Sequence, residues 1–369
     1  MNRLFRWDQM GLFLLALAAG ILPFAVPEVC AAALREGLTL CSGPLLLSLF
    51  PFLVVSRLLI QCPESDLLAL PFRLAAWGIG IRTPCAARVL CIGFLGGFAP
   101  AASAAAQAVR TGQLTAEEAD ALLPACICSG PSFVVLTVGQ SLLGSAELGV
   151  LLFASQITAN YLTAALLNRF AGVRSVKPGS AVPAFPAPPR LDEILADAAI
   201  TYCKLCGFIL FFRMLAAGAG ALLPAGAGTL CAVLLEVCSG CDLASRTGRW
   251  GSLLCCAALS VQGLSVLLQV RTICPPEMTL RPLYRSRLLH LPLSLALFYL
   301  LLPGGEADVF STLPARVLLM RRVPPDCVLL VFAVCCMAAC TLRSGIRQVE
   351  QKQMARNAGG CCINSKTLL

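Results

Sequence analysis

Charged residues are scarce in this chain: Asp, Glu, Lys and Arg make up 13% of its 369 residues, against about 25% in a soluble domain. A water-soluble globule of this length needs many more polar side chains to cover its surface, so that class is excluded. Disordered and collagen-like chains are excluded by the same composition. The 58% hydrophobic share and the mean hydropathy of +0.83 indicate a polytopic membrane protein instead.

Histidine is almost absent, since His290 is the single one in the sequence. One histidine cannot supply a histidine-based metal site, and the sequence contains no P-loop, GxSxG or HExxH motif. We therefore expect no enzyme activity, with no catalytic residues, no metal and no cofactor. The net charge of +9 does not indicate nucleic-acid binding. The basic residues lie in short loops and tails, where the positive-inside rule and anionic lipid headgroups favour them.

Long uncharged runs follow one another along the chain, among them residues 9–27, 37–56, 89–109 and 214–235. A helix needs roughly 20 apolar residues to cross the hydrocarbon core of a bilayer. Backbone groups in lipid must be satisfied internally, so these runs are expected to be helices. The predicted fold class is an all-α polytopic membrane protein, with the bilayer as its main partner.

The two ends of the chain suggest its orientation. Arg3 and Arg6 precede an apolar stretch that fits either a signal peptide or a first membrane helix. Asp8 interrupts the basic region that a signal peptide needs, so the membrane helix is favoured. The basic tail 343–369 predicts a cytoplasmic C-terminus.

Cysteine is unusually common, with 21 residues, and two pairs have a CxxC spacing: Cys203 with Cys206, and Cys238 with Cys241. Paired thiolates bind zinc or form disulfides, which is one interpretation. The other is that cysteine serves as a small apolar residue in helix packing. Cysteines are frequent everywhere and no histidine is near either pair, so packing is favoured and a redox role stays open.

A proline-rich stretch, 171–190, divides the chain into two parts that resemble one another. Each part has an apolar run ending in arginine (Arg57 or Arg213), then two polar interruptions, then a long apolar helix. We expect both arginines to reach the membrane interface. The predicted organisation is an N-terminal membrane helix (1–39), a first repeat (40–170), the linker (171–190), a second repeat (191–305), a loop with a C-terminal membrane helix (306–342) and the basic tail (343–369).

Glycine, proline and serine interrupt the apolar segments at four places: 96–100, 129–132, 236–240 and 262–265. Such interruptions at corresponding places in two halves indicate re-entrant or broken helices around a binding site near the membrane midplane. Unwound backbone survives there only where it lines a cavity or is buried in protein. The alternative is that small residues merely let helices pack closely.

Other polar residues in or beside the apolar segments need explanation. Glu236 needs a proton, a partner or water, because a charged carboxylate at the centre of a membrane helix costs roughly 2.5 to 3.5 kcal/mol. Thr115 and Glu118 predict a capping box at a helix start, where we expect Glu117, Glu118 and Asp120 to be solvated. The predicted solute-binding residues are Gly97, Pro100, Ser129, Gly130, Ser132, Glu236, Ser239, Gln262 and Ser265.

The order of these motifs resembles the sporulation integral membrane proteins of the YlbJ type, which carry nucleoside-recognition, or gate, domains. The resemblance covers roughly residues 40–302 and rests on segments 49–52, 93–102, 117–119, 128–133, 235–240, 259–266 and 286–290. It implies duplicated gate-type helical repeats and a multi-pass protein of a bacterial cell membrane that acts in endospore formation, in cortex assembly.

Three interpretations of the function remain open at this point. The first is a non-enzymatic sporulation protein that handles a small polar solute at a midplane cavity. The second is a secondary transporter or channel for a nucleoside-like or other small polar solute. The third is an assembly factor that binds partners through the basic tail. The sequence leaves the solute and the oligomeric state open.

Overall fold

The computed structural model describes residues 7–61, 65–171 and 190–302, and every regular element in these ranges is a helix. The described residues do not include 1–6, 62–64, 172–189 and 303–369. Most of the predicted linker, the predicted C-terminal membrane helix and the basic tail therefore lie outside them. The predicted all-α class is therefore confirmed for the described part of the chain.

The described first half contains ten helices of unequal length. In chain order they are α1 (Trp7–Ala25), α2 (Pro27–Ser42), α3 (Pro44–Gln61), α4 (Ser65–Leu68), α5 (Leu70–Gly78), α6 (Pro84–Gly96), α7 (Phe98–Arg110), α8 (Ala116–Cys126), a π-helix (Ser132–Leu142) and α9 (Ala146–Ala171).

The second half begins with the longest described helix, α10 (Leu191–Leu222). It is followed by α11 (Ala225–Leu235), α12 (Val237–Ser245), a 3₁₀ turn (Gly248–Trp250), α13 (Gly251–Val261), α14 (Gly263–Ile273) and α15 (Arg281–Leu301).

Four helical segments are long and apolar enough to cross a membrane. They are Pro27–Leu47, Ala146–Ala171, Leu191–Leu222 and Gly248–Ile273. Shorter apolar helices of 10 to 17 residues accompany them, including Pro84–Gly96 and Gly226–Leu235. This pattern of full-length and short apolar helices is that of a membrane protein in which part of the chain does not cross in one straight helix.

Helices end and restart at each of the four polar interruptions. Gly97 separates α6 from α7, and Glu236 separates α11 from α12. Gln262 separates α13 from α14, while the stretch 127–131 connects α8 to the π-helix. We call these interruptions breaks 1 to 4 in chain order, at Gly97, 127–131, Glu236 and Gln262.

Breaks 1 and 3 reverse the chain. A Cβ atom on Gly93 would lie 3.2 Å from the Cβ of Ala101, although residues eight apart are about 12 Å apart along a continuous helix. In the same way, a Cβ on Gly240 would lie 2.8 Å from the Cα of Val233. The pairs α6–α7 and α11–α12 are therefore helical hairpins whose tips are Gly97 and Glu236.

The buried centre is formed by α9 and α15, which pack against each other and against α8 and α13. The buried face of α15 carries polar as well as apolar side chains, and α9 likewise buries Gln156, Asn160 and Asn168. On its other side α9 packs on the π-helix, where a Cβ on Gly139 would lie 2.4 Å from the Cα of Gly149. Such close backbone contact needs residues without side chains.

The helix α10 packs along α2 and α3 and is tied to each by an ion pair. Arg57 pairs with Asp197 at 2.8 Å, and Arg213 pairs with Glu36 at 2.8 Å. The arginine side chains are 11% and 15% exposed, and the carboxylates that they reach are 61% and 50% exposed. The placement of both arginines at the membrane interface stays a prediction.

The predicted capping box at the start of α8 is confirmed, because the Thr115 hydroxyl accepts from the Glu118 N–H and the Glu118 carboxylate accepts from the Thr115 N–H. The expected solvation of this turn is wrong for two carboxylates: Glu118 is 3% exposed and Asp120 is 6% exposed. Asp120 is buried because it accepts hydrogen bonds from Thr279 and Leu280 of the second half.

Candidate functional site

The two breaks of the first half touch each other through backbone atoms. Gly97 has φ +81°, which favours glycine, and a Cβ there would lie 2.6 Å from the backbone nitrogen of Gly130. Gly130 belongs to break 2, so both breaks of this half meet with no side chain between them. Pro100 follows in the first turn of α7 and is buried.

The second half repeats this contact with different residues. Gln262 and Gly263 both have positive φ values, 63° and 68°, which interrupt the helical segment between α13 and α14. A Cβ on Gly263 would lie 2.9 Å from the backbone nitrogen of Glu236. Breaks 3 and 4 are therefore also in direct backbone contact.

The carbonyl oxygen of Ile127 connects the halves. Helix α8 ends there, so this carbonyl lacks a helical partner. The Gln262 side-chain amide donates to it at 3.1 Å and the Asn160 amide at 3.3 Å. Because Gln262 belongs to break 4 and Ile127 to break 2, the four breaks meet in one place, which we call the junction.

Glu236 is buried, and its hydrogen-bond partners belong to the helix that it precedes. The residue is 2% exposed. One carboxylate oxygen accepts from the N–H group of Cys238 at 2.9 Å, and the other accepts from the N–H group of Ser239 at 2.7 Å. Both donors are free N–H groups of the first turn of α12, where the helix dipole favours a negative charge. Of the three alternatives for Glu236, the structure shows a backbone partner.

Arg287 of α15 is buried beside the junction and is 8% exposed. Its guanidinium donates to the Asn160 side-chain oxygen at 3.1 Å, to the Ser260 carbonyl at 3.4 Å and to the Ile127 carbonyl at 3.5 Å. Among the described residues no carboxylate lies within ion-pair distance of it. The positive charge is balanced by oxygens of neutral groups.

His290 lies one turn after Arg287 and continues the polar contacts. Its Nε2 atom is 3.2 Å from the Gln156 carbonyl, and its Nδ1 atom contacts the Ser260 hydroxyl. A carbonyl only accepts, so Nε2 carries the proton and Nδ1 accepts from Ser260. The Ser260 oxygen is also 2.8 Å from the Ser294 hydroxyl. These contacts hold the end of α13 against α9 and α15, two residues before break 4.

Two cavities are described, and the smaller one, of about 220 Å³, lies between α3, α7, α10 and α14. Three cations line it, Arg57, Arg110 and Lys204, together with a single carboxylate, Asp197. Within the described chain no hydrogen bond or ion pair engages Lys204, and its side chain is exposed.

Two buried polar side chains at the inner wall of this cavity have unused hydrogen-bonding capacity. Ser103 and Gln269 are each 2% exposed. Neither the Ser103 hydroxyl nor the Gln269 side-chain oxygen has a hydrogen-bond partner among the described residues. The Gln269 amide donates to the Ser265 hydroxyl at 2.9 Å. Gln269 therefore links the smaller cavity to Ser265, three residues after break 4.

A larger cavity of about 500 Å³ lies between α2, α10, α11 and α12. Its lining includes Ser239 of break 3, the Glu36–Arg213 ion pair and many alanines and glycines. A second ion pair, between Asp242 and Arg246, also lines it. The charges of this cavity are thus paired with each other, whereas the smaller cavity contains Arg110 and Lys204 in addition to the Arg57–Asp197 pair.

No protein-family model, curated protein or solved structure matches the chain. The function is therefore inferred from the junction and the cavities.

Eight of the nine predicted site residues fall into three groups, and the ninth, Pro100, is buried in the first turn of α7. Gly97, Gly130, Glu236 and Gln262 lie at the junction, and Ser129 is buried next to Gly130. Ser265 reaches the smaller cavity through Gln269, and Ser239 lines the larger one. Ser132 differs because its side chain is exposed at the start of the π-helix. The junction itself is closely packed, and the described cavities lie beside it rather than between the break tips.

The list of predicted site residues omitted Arg287, Asn160 and the cations of the smaller cavity. A signal for Arg287 is present in the sequence, because an arginine three residues before a histidine in an otherwise apolar segment is costly unless it has a role. Arg57, Arg110 and Lys204 gave no such signal, since each lies at the edge of an apolar run.

The cysteines show no described pairing. All fourteen cysteines within the described ranges are free thiols, including both CxxC pairs. The described residues also contain no group of three or more His, Cys, Asp or Glu side chains placed to hold a metal ion.

Proposed function

We propose that this protein is a non-enzymatic integral membrane protein that binds a small anionic solute in its smaller cavity and moves it past the junction. The observation that carries the proposal is the meeting of four helix breaks, two from each half, at the Ile127 carbonyl. Interrupted helices whose ends meet inside a membrane protein are typical of secondary transporters.

The order of elements supports a duplicated gate-type architecture. In each half a helical hairpin, α6–α7 or α11–α12, is followed by an interrupted helix, α8 with the π-helix or α13–α14. A long helix, α9 or α15, then closes each half. This repetition, together with the motif resemblance, is the basis for proposing a gate-type repeat.

The charges of the smaller cavity favour an anion over a neutral solute such as a nucleoside. Three cations and one carboxylate give an excess of positive charge around a space of about 220 Å³. The Ser103 hydroxyl lies at its inner wall without a described partner and can donate a hydrogen bond to a carboxylate or phosphate oxygen. By the motif resemblance, we place this activity in endospore formation.

Binding to purified protein tests the solute class. In detergent or nanodiscs, small carboxylates and inorganic phosphate are titrated beside a neutral nucleoside. Lys204→Gln is expected to weaken anion binding about three- to tenfold, and Asp197→Asn to strengthen it by a similar factor, since each changes the local charge by one unit. Glu147→Gln removes an exposed carboxylate away from the cavity and serves as the control.

Opposite effects of the two cavity variants, with no change in the control, support the proposal. Equal binding of nucleoside and anions, together with no response to either variant, contradicts it. The sporulation role is tested separately, by expressing the chain in a spore-forming bacterium that lacks its own protein of the resembling family. Restored cortex formation is expected, and a persistent defect despite membrane insertion contradicts this part.

A further inference from the structure

Two interrupted helices point their C-terminal ends at the same place. Helix α8 ends at Cys126 and is followed by the Ile127 carbonyl, while Ser260 lies in the last turn of α13, which ends at Val261. Carbonyls at helix C-termini lack intrahelical donors and carry the negative end of the helix dipole. Two such ends buried side by side favour a positive charge between them.

The guanidinium of Arg287 supplies that charge. Four oxygens surround it: the carbonyls of Ile127 and Ser260, the side-chain oxygen of Asn160 at 3.1 Å and the hydroxyl of Ser286 at 3.2 Å. All four belong to neutral groups, and none of the carboxylates in the described ranges takes part.

This set of oxygens is what a monovalent metal ion prefers. In membrane transporters with interrupted helices, unwound backbone carbonyls and half-helix C-terminal ends coordinate the coupling Na⁺. Here the same chemistry surrounds an arginine, whose charge is permanent and whose side chain cannot leave.

We propose that Arg287 is a tethered cation that occupies a sodium-type site between the ends of α8 and α13. Removing its side chain turns the surrounding oxygens into a binding site for free Na⁺. The consequence for transport, which depends on the proposed function above, is that solute movement by the wild type needs no coupling Na⁺.

Thermal unfolding of the purified full-length protein tests the site without any solute. Wild type and variants are unfolded in detergent with 300 mM NaCl or with 300 mM N-methyl-D-glucamine chloride, so that ionic strength is constant. Arg287→Ala is expected to unfold at a temperature about 3 °C higher in sodium, the shift produced by a ligand at about ten times its dissociation constant. Wild type is expected to unfold at the same temperature in both salts.

Two variants control for other effects of losing a buried arginine. Arg287→Lys retains a tethered positive charge and is expected to show no sodium effect. Arg88→Ala also removes a buried arginine, but one that pairs with Asp66 at 3.2 Å, so sodium is not expected to rescue it.

The outcomes separate this proposal from the proposed function. An Arg287→Ala protein that unfolds at one temperature in both salts, or that folds in neither, overturns the tethered cation, as does a wild type that sodium stabilises. Sodium rescue of Arg287→Ala in a protein that binds no anion supports the tethered cation while contradicting the solute. Anion uptake that needs Na⁺ contradicts the transport consequence alone.

Discussion

At the scale of single residues, Glu236 shows how a buried carboxylate is tolerated in an apolar segment. It makes no ion pair among the described residues, and its hydrogen bonds come from the first turn of α12. The unpaired N–H groups of that turn and the carboxylate each need a partner, so joining them satisfies both. The residue that ends α11 is thereby the residue that starts α12.

Replacing Glu236 separates this capping role from direct contact with a solute. Glu236→Ala is expected to lower the free energy of unfolding by about 2 kcal/mol, because two buried N–H groups lose a charged acceptor. Glu236→Gln keeps one acceptor oxygen and is expected to cost less. Equilibrium unfolding of the two variants in detergent measures both effects.

One outcome of the same measurements contradicts a capping role. If Glu236→Gln leaves stability unchanged yet abolishes anion binding, the carboxylate acts on the solute and its contact with α12 is secondary.

Residues differ in how much the sequence reveals about them. Glu236 is conspicuous in the sequence, and its partners are only two and three residues away. Asp120 looks like an ordinary helix-start carboxylate, but its partners Thr279 and Leu280 lie 159 and 160 residues further along. Local patterns predict local partners, and only the fold brings Asp120 to the second half.

At the scale of elements, close contact between backbones determines where the breaks lie. An added Cβ on Gly97 would lie 2.6 Å from the backbone nitrogen of Gly130, so the tip of the α6–α7 hairpin has no room for a side chain where it meets break 2. Glycine is needed here for space as well as for its positive φ.

Two glycine substitutions compare an open position with a crowded one. Gly80 has φ +88° with nothing within 4 Å of an added Cβ, whereas Gly97 has φ +81° and is crowded. Gly80→Ala is expected to cost about 1 kcal/mol from backbone strain alone, and Gly97→Ala about 3 kcal/mol or more. Unfolding of both variants is compared with wild type, and equal costs contradict the packing of break 1 on break 2.

The positions of the breaks were readable from the sequence, because glycine, proline and serine act locally on the helix. Reversal of the chain at Gly97 and Glu236 was one of two predicted alternatives, re-entrant or broken helices, because a helix that bends and a hairpin share the same residue types. The π-helix Ser132–Leu142 likewise has no local signature, because its apolar sequence equally suits an α-helix.

At the scale of the whole molecule, the halves are joined through buried contacts of α8, α9 and α15. Asn168 of α9 binds within its own half, to the Ile79 and Ala121 carbonyls. Gln156 and Asn160 of the same helix instead reach the second half, at the Cys256 carbonyl and at Arg287. Buried polar contacts of this kind hold two helical units together inside a membrane.

The chain is therefore expected to tolerate a cut between residues 180 and 181. Co-expressed fragments 1–180 and 181–369 are expected to purify together from detergent through an affinity tag on one of them, since the contacts between α9 and α15 do not depend on chain continuity. Quantifying the untagged fragment in the eluate measures the association.

A variant with fewer contacts between the halves gives the comparison. Asn160→Leu in the first fragment removes an Arg287 partner and is expected to lower the recovery of the untagged fragment. A tagged fragment that elutes alone, with both fragments present in the membrane, contradicts the joined arrangement.

The opposite polarity of the two ion pairs on α10 has a mechanical consequence. Asp197 and Arg213 are sixteen residues apart, about 24 Å along the helix, and each is held by a charge of the other sign on α3 or α2. Sliding α10 by one turn, about 5.4 Å, would break both ion pairs together. Helices α2, α3 and α10 are thus tied together at two levels, and we expect them to move as one unit in any rocking of this protein relative to the remaining helices.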